Sequence, residues 1–115
     1  MDEKPIAWRG SSFKDLTDDK TFSSDARKEV GRQLRKIQRG DDPDDWKPFD
    51  ALGAGTKELR ISLGDGWFRV MYVAKFPEAV YVLHCFKKKT KTTSGPDKAL
   101  AASRYKFLIQ ERNNK

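Results

Sequence analysis

The sequence contains one cysteine, one histidine and no long apolar segment, and each shortage excludes a class of protein. A lone cysteine, Cys85, cannot form an internal disulfide. A lone histidine, His84, rules out both a two-histidine ribonuclease mechanism and a histidine-rich metal site. No run approaches the roughly 20 apolar residues that span a bilayer, and residues 1–10 lack the apolar core of a secretory signal. We therefore expect a cytoplasmic protein that needs no membrane, metal or cofactor.

Charge, by contrast, is abundant and unevenly distributed. The 115 residues include 24 Lys and Arg against 17 Asp and Glu, a net charge of +7. Residues 1–56 hold 11 basic and 12 acidic side chains, whereas residues 57–115 hold 13 and 5. A basic surface confined to one part of a small protein is typical of binding to a phosphate-rich partner, and it also suits an anionic membrane surface or an acidic protein.

Four strands are predicted from apolar residues that alternate or cluster over short distances. A short strand is predicted within Lys4–Arg9, and a half-buried one begins at Lys57, where apolar and polar residues alternate with a period of two. The dipeptide Asp65–Gly66 then predicts a tight hairpin into a run at Trp67–Phe76, and a third run follows at Ala79–Phe86. We expect these last three strands to form an antiparallel sheet.

Helical periodicity predicts two helices before this sheet and one after it. A short turn near Ser11 precedes a helix over Ser24–Arg39, and Pro96 is placed to begin a closing helix. The core stripe of the closing helix is predicted to be Leu100, Ser103, Phe107 and Leu108. Residues 41–55, which include four aspartates within five positions, are expected to form a loop and an extended connection. The expected fold is one α+β domain, residues 1–115, with helices on one sheet face in the order β-α-α-β-β-β-α.

Cationic side chains gather around the three central strands. Arg60 lies on the polar side of its strand and Arg69 alternates with apolar neighbours, so a suitable register brings both guanidiniums to one surface. The third strand is followed by a lysine cluster, Lys87, Lys88, Lys89 and Lys91. Arginine can supply bidentate phosphate contacts and lysine a mobile point charge, so this region predicts a site for a single-stranded nucleic acid.

Three features near the cluster stay open on the residues alone. Trp67 is suited to stack on an unpaired base, although a strand tryptophan more often packs in a core. His84 shares parity with apolar residues of its strand, which favours the core side over a place near the lysines. Crowded lysines lower one another's pKa, so one of them can act as base in attack of a ribose 2′-hydroxyl on phosphate while Arg69 stabilises the phosphorane. The alternative is a solvated basic strand end.

Several short motifs occur in an order that resembles a known family. They are Trp8–Ser12, Asp45–Phe49, Gly53–Gly55, Glu58–Arg60, Phe68–Val70 and Phe86–Thr90. Together they cover nearly the whole chain and resemble the phage-derived HigB-like branch of the RelE/ParE toxin superfamily. The resemblance implies a RelE-like fold, metal-independent cleavage of mRNA on the ribosome, and a helix-turn-helix antitoxin encoded by an adjacent gene.

The resemblance also implies roles for individual residues. By position it makes Arg60, Arg69 and Lys88 the predicted catalytic residues. The residues of the basic region, apart from the resemblance, supply the predicted RNA-binding set: Lys87, Lys89, Lys91, Trp67 and His84. The chain departs from the RelE pattern where a catalytic tyrosine is expected, because Thr92, Thr93 and Ser94 stand there. Two other functions stay open: a ParE-like toxin that inhibits DNA gyrase, and a non-catalytic module that binds nucleic acid through its basic surface.

Overall fold

Five strands form one mixed sheet in the computed structural model, which describes residues 3–90 and 92–114. The strands are β1 (Ile6–Trp8), β2 (Trp46–Pro48), β3 (Thr56–Leu63), β4 (Gly66–Val73) and β5 (Val80–Lys88). Their order across the sheet is β1-β5-β4-β3-β2. Strands β2, β3 and β4 each pair antiparallel with the next strand along the chain, as predicted for β3, β4 and β5. Strand β1 instead pairs parallel with β5.

Three helices complete the α+β fold, and none is long and apolar enough to cross a membrane within the described residues. They are α1 (Ser12–Leu16), α2 (Ser24–Gln38) and α3 (Gly95–Asn113). The two long helices are each preceded by a capping serine, Ser23 and Ser94, whose hydroxyl oxygen accepts a hydrogen bond from a backbone N–H of the first turn. The predicted helix over Ser24–Arg39 is therefore confirmed to within one residue.

The predicted order of elements omitted β2. This strand lies at the sheet edge and pairs with β3 over three residues, Trp46 opposite Leu59 through Pro48 opposite Lys57. Three residues are too few to show alternation, and Pro48 indicated a loop. An edge strand tolerates proline because the missing N–H faces no neighbouring strand. The same brevity hid the parallel pairing of β1, so the sheet is mixed rather than purely antiparallel.

Helices cover both faces of the sheet, which corrects the expectation of one covered face. On one face α2 packs its apolar stripe onto residues such as Leu59 and Phe68, as part of a core that is almost solvent-free. On the other face α3 packs Ala101 and Leu108 against Met71 and neighbouring residues of β4 and β5. Both parities of β4 are apolar toward its end, so each face attracts a helix. On this second face, the sheet is open around Trp67 at the start of β4, which is 42% exposed.

The buried side of α3 also differs from the predicted stripe. Leu108 is buried as expected, but Leu100 is 38% exposed, Phe107 is 63% exposed, and Ser103 is exposed. Apolar residues lie on several sides of this helix, so periodicity alone did not determine which side faces the sheet.

The β3–β4 hairpin and the end of β5 also differ in detail from the prediction. Leu63 pairs with Gly66, so the two-residue loop is Gly64–Asp65, one position earlier than predicted. Gly66 has a φ of +150°, a backbone conformation that other residues rarely adopt, which accounts for the glycine. Strand β5 continues through Lys88, two residues beyond its predicted end, and Lys88 pairs with Trp67. The first two lysines of the cluster therefore belong to the sheet.

Candidate functional site

The register of the central strands brings the predicted catalytic residues together. Arg60 is directly opposite Arg69, and Trp67 lies between Ser62 on β3 and Lys88 on β5. Directly paired residues point to the same side of a sheet, here the side opposite α2. The five residues Arg60, Ser62, Trp67, Arg69 and Lys88 line one shallow pocket of about 330 Å³, which we call the cationic pocket.

Arg69 is buried at the base of this pocket. It is only 5% exposed, and its Nη1 donates a hydrogen bond to the Phe68 carbonyl at 2.9 Å. Burial lowers its pKa, the neighbouring Arg60 charge lowers it further, and the Glu58 carboxylate opposes both effects. Arginine keeps its proton in proteins despite such a shift because its ordinary pKa is so high. The pocket therefore contains a buried, partly desolvated positive charge.

A buried carboxylate lies beside Arg69, and the sequence did not reveal its role. Glu58 is completely buried, and its Oε1 is 3.8 Å from Arg69 Nε and 3.7 Å from Lys47 Nζ. Its Oε2 accepts a hydrogen bond from Thr93 Oγ1 at 2.9 Å. Period-two alternation already placed Glu58 with Arg60, but Lys47 belongs to the unpredicted strand β2. The contribution of Thr93 arises only from tertiary packing.

Arg60 is more exposed than Arg69 and faces the acidic loop. Its Nε lies 3.9 Å from Asp45 Oδ1, and its backbone N–H donates to the Asp45 carbonyl at 2.9 Å. The adjacent Asp44 accepts hydrogen bonds from α2, and its pKa is lowered by those partners, Lys36, Gln33 and Arg32. The loop is thus fastened to α2, and one of its carboxylates lies at the edge of the cationic pocket.

Lys88 and Trp67 form the more accessible side of the pocket. Burial lowers the pKa of Lys88, and the Arg69 charge lowers it further. Trp67 is 42% exposed, so it is not a core residue. It lines the same pocket as Arg60, Arg69 and Lys88, where it can stack on a base whose phosphate those cations bind.

The remaining predicted RNA-binding residues lie outside the cationic pocket. Lys87 points to the opposite face, with Nζ 5.6 Å from the centre of the Phe68 ring. Lys89 is exposed and, together with Lys87, lines a neighbouring cavity of about 570 Å³. His84 is buried, stacks on Phe86 and places Nε2 2.7 Å from Asp97 Oδ1. Lys91 lies outside the described residues.

The pocket has the composition of an anion site. Within residues 3–90 and 92–114, no group of three or more His, Cys, Asp or Glu side chains is arranged to hold a metal ion. The groups that face the pocket are Arg60, Arg69 and Lys88, with Lys47 behind them. Among the described residues, the carboxylates near these four cations are Glu58 and Asp45. Positive charge is in excess, so the arrangement favours phosphate.

A comparison with known families identifies the chain. The model described as Phage derived protein Gp49-like (DUF891) matches residues 18–106, more than three quarters of the sequence and all five residues of the cationic pocket. The chain therefore belongs to the Gp49-like family of phage-derived proteins. No curated protein matches it.

Proposed function

We propose that this Gp49-like protein is the toxin of a type II toxin–antitoxin system, of the HigB-like branch of the RelE/ParE superfamily, and that it cleaves mRNA on the ribosome. Family membership supports the first part, since Gp49-like proteins are associated with toxin–antitoxin systems. The observation that carries the second part is the cationic pocket, where Arg60, Arg69 and Lys88 meet beside an exposed tryptophan.

In the proposed reaction the protein binds a phosphodiester and the RNA supplies the nucleophile. The 2′-hydroxyl gives up its proton to solvent water and attacks the adjacent phosphorus, and the bond from phosphorus to the 5′-oxygen breaks. The leaving oxygen takes a proton from the protein, so a 2′,3′-cyclic phosphate and a 5′-hydroxyl result. Arg69 and Arg60 donate to the non-bridging oxygens, on which charge increases in the transition state. Fixed donors suit this role because they need little reorganisation as the charge develops.

Lys88 is assigned the proton transfer to the leaving 5′-oxygen. A lysine whose pKa is lowered gives up its proton more readily than an ordinary one, and burial and Arg69 lower the pKa of Lys88. Trp67 is assigned the stacking of one unpaired base, which fixes the phosphate over the arginines. The positions where RelE members carry a tyrosine hold Thr92, Thr93 and Ser94, so we assign no role to a tyrosine.

Expression in a bacterium that lacks the neighbouring gene tests the toxin assignment. We expect growth arrest on induction, relief when the product of the adjacent gene is co-expressed, and no arrest with Arg69→Gln. The antitoxin is expected to be a helix-turn-helix protein with an acidic or apolar segment that covers the cationic pocket. Normal growth in cells that contain soluble, folded wild-type protein would overturn the assignment.

Purified ribosomes with a defined message test the reaction. We expect fragments that end in a 2′,3′-cyclic phosphate, whose ends locate the cleaved bond. A message with a 2′-O-methyl group on the nucleotide just before that bond should stay uncut, because the modification removes the nucleophile. An intact message at concentrations that arrest translation would overturn the proposed cleavage. Inhibition of gyrase supercoiling together with an intact message would instead identify a ParE-like activity.

A further inference from the structure

Glu58 joins three separate parts of the chain beneath the cationic pocket. Its two oxygens contact Lys47 on β2, Arg69 on β4 and Thr93 in the segment between β5 and α3. The carboxylate itself is completely buried, so it cannot contact RNA. Its influence on the pocket must pass through the groups that it holds.

The cost of burying this carboxylate suggests a role beyond stability. A buried ion pair is seldom more stable than well-packed apolar residues of similar volume. Here the pairing is also incomplete, because neither Glu58 Oε1 nor Arg69 Nε has a hydrogen-bond partner within the described residues. The two atoms face each other at 3.8 Å and interact by charge. An apolar residue would suit this part of β3 better if packing were the only requirement.

We propose that Glu58 is the positioning residue of the cationic pocket. Its charge holds the Arg69 guanidinium in one place, and its hydrogen bond from Thr93 fastens the segment that follows β5 to the sheet. Arg69 can then contact phosphate without first becoming ordered. The inference rests on the proposed function only in taking RNA phosphate as the ligand of the pocket.

Hydrogen exchange of the Arg69 Nε–H group, measured by NMR on the full chain without RNA, tests the positioning directly. We expect exchange at least about tenfold faster in Glu58→Gln than in the wild type, because the guanidinium is released. The matched control is Asp45→Asn, which removes a carboxylate 3.9 Å from Arg60 Nε and should change Arg69 exchange much less than Glu58→Gln does. Equal exchange rates in Glu58→Gln and the wild type would overturn the proposal.

Binding and cleavage of RNA separate positioning from simple charge removal. Asp45→Asn should bind an uncleavable 2′-O-methyl RNA about two- to fivefold more tightly, because it removes an exposed negative charge. Glu58→Gln also removes a negative charge, yet we expect no such gain and cleavage slowed at least about tenfold. Tighter binding with undiminished cleavage in Glu58→Gln would contradict the proposal. If the wild type neither binds nor cleaves RNA, the proposed function fails, whereas the exchange experiment still decides the role of Glu58.

Thr93→Val provides a second test, which decides the matter if Glu58→Gln does not fold. The change removes the hydroxyl that donates to Glu58 Oε2 and preserves side-chain shape and charge. We expect faster Arg69 exchange and slower cleavage, each by a smaller factor than in Glu58→Gln. If Glu58→Gln does not fold, a folded Thr93→Val with the Arg69 exchange rate and the cleavage rate of the wild type would overturn the proposal.

Discussion

On the face of the sheet beneath α2, β3 and β4 present Leu59, Ile61, Phe68 and Val70, all 5% exposed or less. On the opposite face the same strands present Glu58, Arg60, Trp67 and Arg69, each of which directly precedes one of those core residues in the sequence. The backbone is shared, so the two faces differ only through the alternation of side chains. One strand pair can thus stabilise the protein with the odd-numbered residues of β3 and the even-numbered residues of β4, and bind a ligand with the residues between them. Neighbouring substitutions should therefore have effects of different kinds, and that expectation can be tested.

Phe68→Ala should have the largest effect, and it should be an effect on stability. Phe68 is fully buried and its ring centroid lies 5.1 Å from that of Phe22. Removing a buried aromatic ring leaves a cavity and typically costs about 3–5 kcal/mol of unfolding free energy. Urea denaturation measures this loss. If the fraction that remains folded also cleaves RNA much more slowly than the wild type, the separation between the two faces is wrong.

Arg69→Gln, one residue further along β4, should act mainly on the reaction. Loss of one fixed donor to a developing negative charge typically slows a reaction by about 10²–10³-fold. Some unfolding free energy is also lost, because the buried Glu58 carboxylate loses the Arg69 charge and keeps only Lys47 as a nearby cation. Arg60→Gln is the matched variant on the same face, and a smaller loss is expected because Arg60 is less buried. Single-turnover cleavage on ribosomes, at concentrations where each variant is folded, distinguishes the two. A cleavage rate in Arg69→Gln that equals or exceeds the rate in Arg60→Gln would contradict the role assigned to Arg69.

Much of this arrangement could be predicted from local sequence. Period-two alternation placed Arg60 and Arg69 on the polar sides of their strands, and a hairpin signal only one residue from the true loop made their convergence plausible. Helix α2 was predictable because its stripe is narrow and its cap is a serine. These features depend on interactions between residues close in the chain.

What could not be predicted depends on tertiary packing. β2 is too short for periodicity, and its importance comes from Lys47, which reaches a carboxylate on the next strand. The end of β5 extends to Lys88 because β4 supplies a pairing partner, although lysines are poor strand residues. The side of α3 that faces the sheet is selected by an apolar surface that β4 and β5 build together. No local pattern encodes that choice.

Trp67→Ala should have a smaller effect, confined to binding. Trp67 is on the ligand-binding face and 42% exposed, so we expect little change in unfolding free energy. Stacking on aromatic side chains contributes about 1–3 kcal/mol per base, so affinity for single-stranded RNA should fall by roughly 5- to 150-fold. Fluorescence anisotropy with 2′-O-methyl RNA measures the change, and Trp67→Phe should retain most of the affinity. Loss of stability without loss of affinity would place Trp67 among the packing residues instead.

The smallest expected effect is a pH dependence that comes from Lys88. Its pKa is lowered from the ordinary 10.5 by burial and by Arg69, so in the free folded protein it loses its proton at a pH where an unfolded lysine is still charged. Phosphate binds the ammonium form. Affinity for 2′-O-methyl RNA should therefore be highest at neutral pH and fall as the pH rises toward 10.5. The fall should begin at a lower pH than it would for a lysine with the ordinary pKa.

The same titration should change stability in the opposite direction. In this pH range the unfolded chain binds more protons than the folded one at Lys88, so its contribution to the unfolding free energy increases with pH. Lys88→Arg should abolish both slopes, because arginine stays charged throughout the range. Lys87→Arg is the matched control, since Lys87 points to the opposite face, and it should preserve both. An affinity that falls equally early in Lys88→Arg would show that another group of the ligand-binding face titrates, and Lys88 would then lose its assigned role in proton transfer.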